Sequence, residues 1–277
     1  MKYYSFHTHT KRCDHAFGED EEYIKEAISC AFSLLSFSDH VMFPNLEQKG
    51  TRGSYINGDF DDYLKCINSL KEKYKSQIEI HIGFEAEYGA FYKEYYQDLI
   101  KNNEIEYLLL GQHFYVHDNG FFSGFEKGVK GASDYVDFII EGMKSGLFLY
   151  VAHPDLMVYF LDRQTEEFKE LSRKLIRASK KYHTPLELNV SKVENNRLAG
   201  KENYEALAPF PVREFWEIAK EEKPEVIIGL DAHNPANINR IGFEYGLSLV
   251  KKYDLNLLEQ DEILKRIKKI QKKIKSK

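Results

Sequence analysis

The stretch Tyr3-Tyr4-Ser5-Phe6-His7-Thr8-His9 joins a short run of strand-forming residues to two histidines. An apolar, aromatic run of this length is typical of a buried strand. Because side chains alternate along a strand, His7 and His9 project from the same face. The stretch therefore predicts a strand that ends in two imidazoles able to hold one ion together.

Similar runs recur along the chain, with segments of helical spacing between them. Strands that alternate with helices form parallel βαβ units. No glycine-rich dinucleotide fingerprint follows the first strand, which favours a barrel over a doubly wound sheet. We therefore predict an α/β fold, a distorted (βα)7 TIM-like barrel with its active site at the C-terminal ends of the strands. The expected strands are residues 3–6, 34–37, 78–84, 107–110, 147–152, 186–190 and 226–230.

Composition limits the classes of protein that the chain can belong to. No repeat, low-complexity tract or linker divides the 277 residues, so we expect one domain over residues 1–277. A formal net charge of −5 argues against a nucleic-acid partner. We find no signal sequence and no window near the ~20 apolar residues of a membrane span, and we expect a cytoplasmic protein without a membrane partner.

Residues that can bind metal fall where the proposed strands end. Any one of these histidines has an alternative explanation as a hydrogen-bonded core residue. The joint pattern, with a His-x-His pair on the first strand and an Asp-x-His pair on the last, indicates a metal site. The candidate ligands are His7, His9, His15, His40, Glu85, His113, His153, Asp231 and His233.

The types of ligand restrict the metal. Imidazoles and carboxylates favour zinc, manganese, iron or cobalt over magnesium or calcium, and zinc is our first expectation. Nine donors exceed the three or four that one ion takes at a catalytic site, which implies more than one divalent ion. A carboxylate such as Glu85 can bridge two of them. A water on such ions has a pKa lowered to about 7, so no serine or cysteine nucleophile is required.

These residues resemble those of a known family, the polymerase and histidinol phosphatase (PHP) superfamily, and within it the stand-alone histidinol phosphatases. The similarity extends from residue 7 to residue 233. One departure is Gly111-Gln112, where many members have Ser-Val. The matching stretches are His7-Thr8-His9-Thr10, Cys13-Asp14-His15-Ala16, Ser38-Asp39-His40, Gly83-Phe84-Glu85, Gly111-Gln112-His113, Ala152-His153-Pro154 and Asp231-Ala232-His233.

The resemblance implies three divalent metal ions and hydrolysis of L-histidinol phosphate to L-histidinol and phosphate, a step of histidine biosynthesis. It implies that Asp231, His233 and Glu85 are catalytic. Asp231 or one of the rim histidines would protonate the leaving group. The implied ligands are His7, His9, Glu85 and Asp231 for one ion, His15, His40 and His233 for a second, and a bridging Glu85 with His113 and His153 for a third.

A small phosphorylated substrate also needs contacts outside the metals. We expect Arg197 to bind the phosphate, because a guanidinium binds such oxygens through two hydrogen bonds. His117 is the residue expected to contact the amine or imidazole of the substrate. The long segments 41–62 and 113–131 are expected to complete the pocket.

Other functions remain open from the sequence. A phosphodiesterase or exonuclease of the same superfamily, or another small phosphomonoesterase, would use the same metal ligands. Amidohydrolase barrels also begin with His-x-His, but they have eight strands and a bridging lysine, and Glu85 with the Asp231-Ala232-His233 stretch argues against them. A metal-stabilised binding module without catalytic activity is a further alternative, and a closed set of donors would favour it.

Overall fold

The computed structural model describes residues 2–43 and 59–276 of the chain, in which short strands alternate with helices. The strands are β1 (Tyr3–Ser5), β2 (Phe32–His40), β3 (Glu79–Ala86), β4 (Tyr107–Leu110), β5 (Tyr115–Val116), β6 (Phe122–Ser123), β7 (Leu186–Asn189), β8 (Glu225–Gly229) and β9 (Asn256–Leu257). The α-helices are α1 (Asp20–Ser29), α2 (Asp59–Tyr74), α3 (Lys93–Lys101), α4 (Val129–Ser145), α5 (Glu166–Tyr182), α6 (Ser191–Leu198), α7 (Arg213–Glu222), α8 (Arg240–Lys252) and α9 (Gln260–Lys275).

The parallel strands form a curled sheet. Strands β1 to β4 pair in chain order, and β7, β8 and β9 form a second parallel run. Single bridges connect the two runs: Val151 pairs with Leu110 and with Leu186, and Thr8 pairs with Ala232. This architecture confirms the predicted α/β class and is consistent with a distorted TIM-like barrel.

The observed elements differ from the predicted ones in several places, and β9 is one strand that was not expected. In the expected fifth strand, residues 147–152, Val151 is a bridge residue and the backbone of residues 149–152 hydrogen-bonds to β4 and to residues 185 and 187, but the segment does not form a continuous strand. Strands β5 and β6, a two-residue antiparallel pair, were not predicted because two residues are too short to show a hydrophobic period. The polar segment after β7 begins with helix α6, which was also missed. These local differences leave the order of the main parallel strands unchanged.

Most of the described helices pack against the sheet or against one another through one apolar side. In α5, the buried residues include Phe168, Leu175 and Ile176, at the spacing of one helical face. The Thr165 side chain accepts a hydrogen bond from the Phe168 N–H and caps the N-terminus, while His183 adopts φ 55° and ends the helix. None of the described helices has the length and apolar character needed to cross a membrane.

Tyr107 on β4 shows how tightly the sheet curls. Its hydroxyl donates a hydrogen bond to the Phe6 carbonyl, just beyond β1, at 2.8 Å, and lies 2.5 Å from Ser36 Oγ on β2. In a flat sheet, a side chain on the fourth strand would be too far from the first strand for this contact. The contact therefore requires a curved sheet, with Tyr107 crossing its interior. Because Tyr107 is fully buried, water does not replace these contacts.

We expect Tyr107→Phe to lower the free energy of unfolding by about 1–3 kcal/mol, because a buried acceptor loses its partner. Tyr3→Phe is the matched control on β1, since the Tyr3 hydroxyl bonds the exposed Glu244 carboxylate; it should change stability by less than about 0.5 kcal/mol. Denaturant unfolding of the two variants measures the difference, and equal values would contradict the curled-sheet contact.

His81 on β3 forms a largely buried ion-pair network. Its Nδ1 lies 2.5 Å from Glu106 Oε2, and its Nε2 lies 2.9 Å from Glu79 Oε1. Burial lowers the pKa of His81, but the two carboxylates raise it by more, so the pKa lies above the usual histidine value. The charged form of His81 therefore stabilises the folded chain.

A pKa raised by folding adds stability below the unfolded pKa, and that stability is lost as the pH rises through the folded pKa. We therefore expect the difference in free energy of unfolding between the wild type and His81→Gln to be largest below about pH 6 and to shrink above it. Urea unfolding at several pH values measures the difference. A difference independent of pH would show that the ion pairs of His81 do not contribute.

Candidate metal centre

The rim where the parallel strands end gathers the predicted metal ligands. A cavity of about 510 Å³ opens at this rim. His7 lies beneath it, fully buried, with its Nε2 3.1 Å from His9 Nε2. The predicted ligands that line the cavity are His9, His15, His40, Glu85, His113, His153, Asp231 and His233.

A first donor group consists of His7, His9, Glu85 and Asp231. Glu85 Oε2 lies 3.5 Å from His7 Nε2 and 3.4 Å from His9 Nε2. Asp231 Oδ1 lies 3.5 Å and 3.3 Å from the same two nitrogens. Four donors placed tetrahedrally about 2.0–2.1 Å from a zinc ion lie about 3.3 Å from one another. The five separations of the two imidazoles from each other and from the two carboxylates are therefore close to those of a tetrahedral zinc site.

A second group contains His15, His40 and His233. His15 Nε2 and His233 Nε2 lie 2.9 Å apart, and a ligand nitrogen of His40 lies within 4.8 Å of both. The His233 ring stacks on His9, with 4.1 Å between the ring centroids, so this group adjoins the first. Three imidazoles with ligand nitrogens this close together form a second set of donors suited to a cation.

Glu85 connects a third group, His113 and His153, to the first. The Nε2 atoms of these histidines lie 3.2 Å apart, and Glu85 Oε1 lies 2.7 Å from that of His153 and 3.6 Å from that of His113. Despite the 2.7 Å separation, Glu85 Oε1 has no hydrogen bond of acceptable geometry among the described residues. A buried acceptor with donor nitrogens around it, but no hydrogen bond, fits a shared cation. Glu85 thus offers one oxygen to each of two groups.

The Nδ1 atoms of five of these histidines meet oxygen acceptors. An acceptor at Nδ1 holds a proton there, so Nε2 is the nitrogen that can face a cation. The acceptors are Glu187 for His7 at 2.7 Å, Asp39 for His9 at 3.4 Å, the Cys13 carbonyl for His15 at 2.6 Å, Glu87 for His113 at 3.1 Å and the Asp231 carbonyl for His233 at 3.0 Å.

The pKa values show how strongly these charges interact. Burial lowers the pKa of His7, but Glu187, Asp231 and Glu85 raise it by more, to about 10. Burial raises the pKa of the Glu85 carboxyl, but the neighbouring imidazoles bring it well below its usual value. Burial and the charge of His9 lower the pKa of His233 to about 3. Protons on some imidazoles therefore balance the ionised carboxylates, and metal cations would replace those protons.

Two of the donor residues have strained backbone conformations. His153 adopts φ 67° and Asp231 adopts φ 44°, in the left-handed region that residues other than glycine seldom occupy. Such a conformation costs on the order of 1–3 kcal/mol and is typical of functional sites. The chain therefore accepts strain at two positions where a side chain points toward the donor groups.

The predicted substrate contacts lie elsewhere. Arg197 makes a two-contact ion pair with Glu194 and is not among the described residues that line the cavity. His117 bonds Ser123 and lines a separate pocket. Lys192 lines the cavity instead, because five positions along α6 place it on a different side of the helix from Arg197. Without the helix, the sequence does not separate these two cations.

The cavity has an apolar wall to which the expected segment 113–131 contributes Phe114, whereas the other apolar residues of the wall were not predicted. The Lys192 Nζ atom lies 5.8 Å from the centre of the Phe210 ring, so the cation adjoins this wall. Much of the expected pocket segment 41–62 lies outside the described residues. The apolar lining residues are Phe114, Leu156, Tyr159, Phe160 and Phe210.

The space around Glu85 accounts for the departure at Gly111. A Cβ atom at Gly111 would lie 2.1 Å from Glu85 Oε1. In this chain the carboxylate occupies the volume that a side chain at residue 111 would need. The glycine therefore allows the Glu85 carboxylate to approach the third donor group closely.

Comparison with known proteins identifies the family. Residues 5–191 match the family model of the PHP domain, and the chain belongs to that family, which confirms the resemblance seen in the motifs.

Two relatives and one solved structure give the range of similarity. A protein of Schizosaccharomyces pombe named "Probable histidinol-phosphatase" is 25% identical over 271 residues, covering 88% of this chain and 84% of that protein. The "Histidinol-phosphatase" of Bacillus subtilis is 26% identical over 92 residues, covering 32% of this chain and 34% of that protein. The crystal structure of histidinol phosphate phosphatase from Lactococcus lactis, complexed with zinc, L-histidinol and phosphate, has a TM-score of 0.67 at 16% identity, covering 93% and 95% of the two chains. This structure shares the fold.

We expect Glu85→Gln to reduce the metal content of the purified protein, because an amide carries no charge and does not bridge two cations well. Glu79→Gln on the same strand is the control, since Glu79 pairs with His81 and is not a member of a donor group. Both variants are loaded with zinc, desalted and measured by elemental analysis. If Glu85→Gln retained as much zinc as the wild type, that result would argue against a bridging role of Glu85 between two ions.

Proposed function

We propose that the chain is a metal-dependent phosphomonoester hydrolase that converts L-histidinol phosphate and water into L-histidinol and phosphate. The observation that carries the proposal is the cluster of imidazole and carboxylate donors around Glu85, at the mouth of a cavity with an apolar wall and a lysine. The two curated histidinol-phosphatase relatives and the ligands of the Lactococcus lactis structure support the choice of substrate.

The proposed cofactor is three divalent metal ions, with zinc as the first choice and manganese, iron or cobalt as alternatives. The zinc of the Lactococcus lactis structure and the donor separations support this choice. The proposed ligands are the nine residues of the three groups: His7, His9, Glu85 and Asp231; His15, His40 and His233; and Glu85, His113 and His153.

The bridges at Val151 and between Thr8 and Ala232 also support a barrel of seven βα units. In that arrangement the segment at Val151 takes the place of the fifth strand. We propose that this barrel is a single domain over residues 1–277, which places all nine ligands on one rim.

The metal ions, when bound, would supply a water of lowered pKa and positive charge for the phosphate oxygens. The chain holds the ligands rigidly and surrounds the substrate. Asp231, His233 and Glu85, the proposed catalytic residues, all line the cavity. Asp231 Oδ2 accepts hydrogen bonds from Asn189 and Ser191, so the Asp231 carboxylate keeps a fixed orientation.

Lys192 is the proposed phosphate contact in place of Arg197. It lies in the first turn of α6, where the partial positive charge of the helix N-terminus also favours an anion. Ser191, the preceding residue, bonds Asp231, so this turn begins beside the first donor group. The apolar wall around Phe210 suits the carbon chain and ring of the substrate.

The open side of the donor groups favours an enzyme over a metal-stabilised binding module without catalytic activity. A purely structural metal site is closed by its protein ligands, whereas a catalytic site keeps an open position. Here eight of the nine proposed ligands line a cavity of about 510 Å³. The space beside the proposed ligands is large enough for a small phosphate ester.

The decisive test is steady-state phosphate release from L-histidinol phosphate, an aryl phosphate and a nucleotide diester, on protein whose metals have been counted. We expect a preference for L-histidinol phosphate that is lost when a chelator removes the metals. Faster hydrolysis of the diester would replace the proposed substrate with a diester, and metal-loaded protein without activity would favour the binding module.

We expect Lys192→Met to lower kcat/KM for L-histidinol phosphate by about 10- to 100-fold, because a charged hydrogen bond to the phosphate is lost. Arg197→Met is the matched control on the same helix, and we expect little change because its guanidinium is bound to Glu194. Steady-state kinetics of both variants measure the effect. The opposite order of effects would restore Arg197 as the phosphate contact.

A further inference from the structure

Strand β7 lies in the rim yet contributes no residue to the donor groups found in the described part of the chain. Its residues alternate as Leu186, Glu187, Leu188 and Asn189, and all four are buried. The leucines belong to the apolar core. A buried carboxylate and a buried amide need polar partners, and both find them among the metal ligands.

Glu187 is held by both of its oxygens. Oε1 lies 2.7 Å from His7 Nδ1 and 3.5 Å from the Tyr150 hydroxyl, and Oε2 accepts a hydrogen bond from Asn189 Nδ2 at 2.8 Å. The absence of a side chain at Gly229 on the next strand makes room for it, because a Cβ atom there would lie 1.9 Å from Glu187 Oε1. The carboxylate therefore has one position, against His7.

Asn189 orients a different proposed ligand, Asp231. Its Oδ1 accepts a hydrogen bond from the Ser191 N–H at 3.0 Å, which determines the orientation of the amide. Its Nδ2 then donates to Glu187 Oε2 and, at 3.2 Å, to Asp231 Oδ2. Ser191 Oγ donates to the same Asp231 oxygen at 3.1 Å. Asp231 Oδ2 is thus occupied, and Oδ1 is left facing His7.

We propose that Glu187 and Asn189 are positioning residues of the metal centre. Glu187 holds the proton of His7 on Nδ1, so Nε2 binds the cation. Asn189 holds Asp231 so that it binds through Oδ1 alone. The inference rests on the proposed metal centre and assigns a role to the strand without ligands. Partners of this kind orient the ligand and increase its basicity, and their loss weakens metal binding about 10- to 100-fold.

Glu187→Gln tests the first contact. A glutamine side chain has one accepting oxygen, so it can keep the contact with either His7 or Asn189 but not both. In the other contact, two N–H donors face each other. We expect the zinc dissociation constant, measured by competition with a chromophoric chelator, to rise about 10- to 100-fold. We also expect kcat to fall at limiting zinc and to recover at saturating zinc, with KM for L-histidinol phosphate unchanged.

Glu225→Gln on the adjacent strand is the matched control. Glu225 pairs with Arg266 at 2.5 Å and is not a member of a donor group, so this variant should bind zinc as the wild type does. Asn189→Ala is the second variant, and it should also weaken zinc binding because Asp231 loses one of two donors. Wild-type zinc affinity in both Glu187→Gln and Asn189→Ala would overturn the inference.

A measurement on the wild type does not depend on the folding of any variant. In nitrogen-15 spectra of the zinc-loaded protein, we expect the His7 proton on Nδ1 and zinc on Nε2; the reverse arrangement would overturn the inference. The zinc titration uses no substrate, so protein that binds zinc as expected but does not hydrolyse L-histidinol phosphate would overturn the proposed function alone. Conversely, an active wild type with an unaffected Glu187→Gln would overturn only the positioning role.

Discussion

The carboxylate of Glu85 is buried among imidazoles, and its two oxygens face different donor groups. A buried carboxylate is costly unless positive charge lies near it. Here protons on the histidines, or metal ions in the proposed holoprotein, supply that charge. The curled sheet matters to function because it brings the ends of separate strands close enough to surround this one side chain.

The residues around Glu85 have different roles in the metal centre. Five of the seven candidate histidines present Nε2 toward the other donors because their Nδ1 atoms meet acceptors such as Glu187 and Glu87. Strained backbone at His153 and Asp231 aims two further side chains at the same region. Rigid support of this kind limits the movement of the ligands, and a metal site depends on such support for its affinity.

Strand β7 shows that a metal site depends on residues other than its ligands. In the sequence, Leu186-Glu187-Leu188-Asn189 lacks a histidine, so the strand gave no sign of a ligand. The alternation of apolar and polar residues in a buried strand was nevertheless a usable signal, because a carboxylate and an amide are seldom buried without partners. The partners lie 180 and 42 positions away along the chain, at His7 and Asp231.

The sequence by itself determined the alternation of strands and helices, the α/β class and the set of metal-type residues at strand ends. These depend on local periodicity and on residue chemistry, which are visible without coordinates. Only the tertiary structure decided the hydrogen-bond partners of the histidines, the reduction of the expected fifth strand to one bridge residue with flanking backbone hydrogen bonds, and the side of α6 that faces the cavity, which carries Lys192 and not Arg197. Each of these depends on distances between residues far apart in the chain, or on which side of an unpredicted helix faces the cavity.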